Sequence, residues 1–151
     1  MQRIAQTLGY VLTLLFIVIT PAIADNTNTF TVNIDNIDYQ RGGHIHMLVF
    51  EDKHFPIKHD KATLHIKQKA EQGAQTFMAN LPTDKPIAIK IWHDEDDNNK
   101  VSKNWTSIYP AEGLAFSNKQ TLGLTGPPSF SQSAITLSPT QAPLTLELVY
   151  P

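Results

Sequence analysis

The sequence contains no cysteine. No disulfide can therefore hold the fold, even in an oxidising compartment where such bonds persist, and no lipid can be attached through a cysteine behind an export signal. Positive charge is scarce as a cluster: 12 Lys and Arg stand against 14 Asp and Glu, a formal charge of −2. Nothing forms the clustered basic face that nucleic-acid binding needs. The uncharged apolar run at residues 8–19 is shorter than the ~18–20 residues that cross the hydrocarbon of a bilayer. There is no Gly-x-Ser-x-Gly elbow of the kind that presents a nucleophilic serine, and no convincing helical period.

What is present begins with an address. Arg3 precedes the apolar run, Pro21 closes it, and Ala22-Ile23-Ala24 follows, the order of a signal peptide with an A-x-A cleavage site. Residues 1–24 are expected to be removed, leaving one domain at 25–151, long enough to close a single hydrophobic core. With Arg3 gone, 11 basic side chains face 14 acidic ones, a formal charge of −3. The expected product is a soluble protein of a bacterial periplasm or of the exterior, with no membrane span after cleavage and no nucleic-acid partner.

From Thr29 onward apolar and polar residues alternate with period two, the mark of strands with one buried face. Phe30, Val32 and Ile34 start the series. After Arg41-Gly42-Gly43, Ile45, Met47 and Val49 line one side of a second run, while His44, His46, Leu48 and Phe50 line the other. Both sides are partly apolar, which predicts a central strand. Ala62, Leu64 and Ile66 follow, in a segment whose Lys, Ala, Glu and Gln also suit a helix; the alternation favours a strand. Then come Phe77, Ala79 and Leu81; Ile87, Ile89 and Ile91; residues 134–137; and residues 144–150. Seven strands predict an all-β, antiparallel, two-sheet sandwich of immunoglobulin or transthyretin type.

The run of isoleucines ends in His93-Asp94, and Asp94, Asp96 and Asn98 then offer oxygens at alternate positions. Hard cations such as Ca²⁺ take six to eight oxygen ligands, and this spacing matches the first half of an Asp-x-Asp-x-Asn-Gly calcium loop. Two departures stand out: Asn99 occupies the glycine position, and Trp105 the position of the bidentate glutamate. Ser102, Asn104 or Glu112 would have to complete the shell. The competing reading is a solvated acidic turn, whose like charges water and salt screen.

A second stretch, "YPAEGLAFSNKQTLGLTGPPSFSQSAITL" from Tyr109, joins this loop. Together they resemble the uncharacterised bacterial family catalogued as domain of unknown function 2141. Its small exported members carry a His-Asp-x-Asn-x-Asn-Gly type loop, then Pro-x-Glu-Gly, Phe-Ser-Asn and Gly-Pro-Pro-Ser-Phe. Here these are Pro110, Glu112, Gly113, Phe116-Ser117-Asn118 and Gly126-Pro127-Pro128-Ser129-Phe130. The resemblance spans the chain from the first strand to "LTLELVY". It implies export and a β-rich sandwich and brings no activity with it; Asp96, Asn99 and Ser102 depart from its loop.

The connection at about 104–132 is long for a compact domain, which points to function or disorder. Its Trp105, Ile108, Tyr109, Leu114, Phe116, Leu122, Leu124 and Phe130 are too apolar for disorder. It is expected either to close a cleft over one end of the sandwich or to cover a sheet edge, with Phe116 and Phe130 buried in both cases. His93, Trp105, Tyr109, Glu112, Phe116 and Asn118 are the candidate ligand-binding residues, and Asp94, Asp96 and Asn98 the candidate calcium ligands. The expected function is a non-catalytic binding or interaction module for a protein, small-molecule or glycan partner. The alternative is a small hydrolase or transition-metal-handling protein using His93, with Ser117 or Ser129 as nucleophile, or the His44/His46 pair, whose rings leave one strand face.

Overall fold

The computed structural model describes residues 26–151; the expected signal peptide at 1–24 lies outside the described residues. Strands β1 (Thr27–Asp35), β2 (His44–Phe50), β3 (Leu64–Lys69), β4 (Gln75–Pro82), β5 (Ala88–Asp94), β6 (Leu114–Phe116) and β7 (Leu144–Glu147) form two sheets. Their orders are β4-β1-β7 and β3-β2-β5-β6. The all-β sandwich expected from the alternation is present.

In the three-stranded sheet, β1 and β4 pair antiparallel with Val32 opposite Phe77 and Phe30 opposite Ala79. These residues face inward and their neighbours face water, so one side of each strand alone enters the core. The inner face of the other sheet supplies Ile45, Met47, Val49, Ile87, Ile89 and Ile91, which meet Val32, Ile34, Phe77 and Leu81 across the sandwich. Such layers pack about 10 Å apart. β2 lies between β3 and β5, the central position that its two apolar faces predict.

The second face of that sheet is covered as well. Leu48, Phe50, Trp92, Leu114 and Phe116 form a second apolar cluster with Phe55, against which Val101 and Phe130 pack. The cover comes from residues 51–62 and from the long connection. Each large apolar side chain buried there contributes about 1.5–3 kcal/mol relative to exposure, which is why the apolar side chains on this face of β2 and β5 draw loops over themselves.

Three expectations are corrected. The sandwich is not wholly antiparallel, because β7 runs parallel to β1, with Val32 opposite Leu144 and Ile34 opposite Leu146. Residues 134–137 make only an isolated bridge, Ile135 to Ile87, while β6 forms inside the connection. A helical turn also forms there, α1 (Phe130–Ser133), held by a capping box in which Ser129 Oγ accepts from Gln132 N and Gln132 Oε1 accepts from Ser129 N. Phe116 is buried as expected, at 4 % exposure, whereas Phe130 is only half-buried at the start of α1.

Candidate functional site

β5 sends Ile89, Ile91 and His93 to the sandwich core, in line with Ile87 just before it, and Lys90, Trp92 and Asp94 to the covered outer face. Opposite them on β2, His44 pairs with Asp94, His46 with Trp92 and Leu48 with Lys90. Asp94 is fully buried where the strand ends, and the 42–43 turn packs onto its backbone carbonyl. A Cβ on Gly43 would stand 1.9 Å from that oxygen, and the backbone there has φ +68°, so only glycine fits.

The acidic loop folds around its own carboxylates. Asp94 Oδ1 accepts from Asn98 N at 3.1 Å and Oδ2 from Asn99 N at 2.9 Å. Asp96 Oδ1 accepts from Asn98 N at 3.2 Å, and its Oδ2 from Asn98 Nδ2 and Ser102 Oγ. The turn needs left-handed backbone at Asp97 and Asn99, the residue types that tolerate it best after glycine. Asn99 thus serves at the glycine position of the loop.

Glu112 comes from the first part of the connection, which folds back onto Ser102. Its Oε2 accepts from Trp92 Nε1 and from Ser102 N, both at 2.8 Å, and its Oε1 from Glu95 N at 3.3 Å. Asp94, Asp96 and Glu112 consequently bring carboxylate oxygens within 4.8 Å of one another. A carboxylate oxygen has two lone pairs. Asp94 Oδ1, Asp96 Oδ1 and Glu112 Oε1 each accept a single hydrogen bond, so each residue keeps an acceptor site for a cation. Burial raises the pKa of Asp94 and of Glu112, and the neighbouring carboxylates add to the rise. A divalent cation would relieve both effects.

Asn98 turns its amide nitrogen to Asp96 and Ser102, while its Oδ1 accepts from Lys100 N. Ser102 borders the cluster, whereas Asn104 accepts from Thr106 instead. The other candidate residues scatter. His93 is fully buried, with Nδ1 at 2.8 Å from Tyr150 Oη and Nε2 at 2.6 Å from Gly42 O. Trp105 is 95 % exposed. Tyr109 and Phe116 line a groove on the outer face, and Asn118 donates to Gln132 O.

The serines weighed as nucleophiles are occupied: Ser117 Oγ accepts from Ile89 N and donates to Ser133 O, and Ser129 caps α1. His44 contacts Asp97, and His46 Nδ1 lies 2.8 Å from His65 Nε2. The 3.5 Å approach of His46 Nε2 to Asp94 is no ion pair. Burial lowers the pKa of His46 to about 3, leaving the ring neutral at pH 7. Burial also lowers His65, and it lowers His59 to about 4 with help from Lys90.

Sequence reasoning missed Lys90, which is buried although it lies between Ile89 and Ile91 on the parity that should face water. Trp92, two residues on, and Leu48 and Phe50 on the neighbouring strand were the hints that this face is covered. A family profile described as "Uncharacterized protein conserved in bacteria (DUF2141)" matches residues 32–145. No curated protein and no solved structure matches the chain.

Proposed function

Because the chain belongs to this family of uncharacterized proteins conserved in bacteria, DUF2141, which brings no reaction with it, we propose that it is an exported, non-catalytic binding module whose loop end is organised around a calcium ion. The observation that carries the reading is the convergence of Asp94, Asp96 and Glu112 from two distant parts of the sequence, each with an acceptor site to spare. Glu112 supplies, through Oε1, a carboxylate oxygen beyond those of the loop itself, with Ser102 and water completing the shell. The non-catalytic half of the reading is supported by His93, whose two ring nitrogens both lie within hydrogen-bond distance of protein oxygens in the closed interior.

Calcium binding to the native state alone, at a hundredfold its Kd, adds about 2.7 kcal/mol, a shift of several degrees in Tm for a domain of this size. The expected result is a Tm higher in excess calcium than in chelator, with the difference abolished in Asp96→Asn. Superimposable melting curves, with no metal retained by the purified protein, would overturn the calcium reading.

A further inference from the structure

A groove of about 880 Å³ crosses the outer face of the four-stranded sheet, between residues 56–61 and two stretches of the connection, 99–110 and 122–127. Two independent features mark it as a binding surface. Its lining gathers Ile57, Ile108, Tyr109 and Leu124, four of the eight large apolar side chains exposed among the described residues, with Leu124 at 92 %. Apolar side chains scattered singly over a surface need no explanation; a set converging on one concavity does.

The second feature is Lys90, 4 % exposed in the lining of the same groove. Its Nζ donates to Pro56 O at 3.2 Å and lies 2.8 Å from His59 Nε2, neither of them a carboxylate. A buried amine without an anionic partner is costly. Burial lowers its pKa to about 7, against an opposing pull from Glu112. Lys58, Lys61, Lys100 and Lys103 also line the groove, against the single carboxylate of Asp60, on a chain of net charge −2. The groove is therefore cationic on an anionic protein, a field that draws anions to it.

We infer that this groove binds a long-chain carboxylate, its anionic head hydrogen-bonded to Lys90 and its alkyl chain laid along Ile108, Leu122 and Leu124. One deep cation matches one head group, and the exposed apolar walls match one tail. The inference rests on the reading of the chain as a binding module and not on the calcium ion.

The test is calorimetric titration of the purified protein with dodecanoate below its micelle concentration, in calcium and in chelator, with folding followed by circular dichroism. Dodecanol and dodecyltrimethylammonium supply the same tail without the negative charge. One dodecanoate should bind per chain, and dodecanol should bind about tenfold more weakly or worse, as the loss of a charge-assisted hydrogen bond requires. Lys90→Met should lose about the same factor. Leu124→Asp, at a side chain too exposed to hold the fold, should weaken binding through the tail.

Absence of dodecanoate binding to the folded protein, or equal affinity of Lys90→Met and wild type, would overturn the inference. So would tighter binding of the trimethylammonium compound. Calcium-dependent melting without dodecanoate binding would leave the calcium-organised loop standing and remove its occupant next door. Dodecanoate binding in chelator, with melting indifferent to calcium, would do the opposite.

Discussion

Between Ile45 and Met47, whose side chains enter the core, His46 turns to the opposite face and is fully buried there too, against Trp92 at a ring separation of 4.4 Å. The unfolded ring takes a proton near pH 6.5 and the folded one only near 3, so the unfolded state binds more protons between those values. Stability from this residue is present above the upper value and lost as the pH falls towards the lower. Between pH 6.5 and about 5 the loss is about 2 kcal/mol for one such group. His59, lowered to about 4, adds in the same direction. Asp94 and Glu112, both raised, act oppositely, adding stability as the pH falls through their folded values. Urea-derived stability should therefore fall from pH 7 to pH 5, with a slope that His46→Phe reduces by close to one proton. Equal wild-type stability at the two pH values would refute this.

At the scale of the element, the outer cover behaves as core. Phe116 meets Phe55 edge-on with centroids 5.9 Å apart, so Phe116→Ala should cost about 3–5 kcal/mol. Ser129→Ala, which removes the cap of α1, should cost about 1 kcal/mol. Urea unfolding separates the two, and a Phe116→Ala cost no larger than that of Ser129→Ala would show the cover to be loosely packed. This is also the scale at which the sequence was least legible. Alternation assigns a side chain to a face but does not say whether that face meets water, which is why Lys90 went unnoticed while β2 was placed correctly. β6 is too short, at 3 residues, to display a period. The acidic loop was legible in Asp94 and Asp96 because its candidate ligands are near neighbours in sequence. Glu112 was one of three residues weighed to complete the shell, and tertiary folding alone singled it out.

At the scale of the molecule, β7 ties the two sheets together. It lies beside β1 in the three-stranded sheet, and two residues beyond its end Val149 bridges to Leu114 on the edge of the other. Tyr150 then packs against Gly113, where a Cβ would come within 2.5 Å of the ring, and its hydroxyl accepts from Asp38 N at 3.0 Å. Removing residues 144–151 strips an edge strand from one sheet and a partner from the other. The truncated chain should lose its cooperative melting transition; a sharp transition within a few degrees of wild type would show that β7 is dispensable.

The pairing of Val32–Asp35 with Leu144–Glu147 also orders events in time. Loop closure over such a separation is slow compared with local contacts. A chain emerging from its N-terminal side exposes the β1 half of this ladder well before the β7 half that pairs with it. Until β7 is available, the edge of β1 that it will cover stands unpaired, an open seam in the three-stranded sheet.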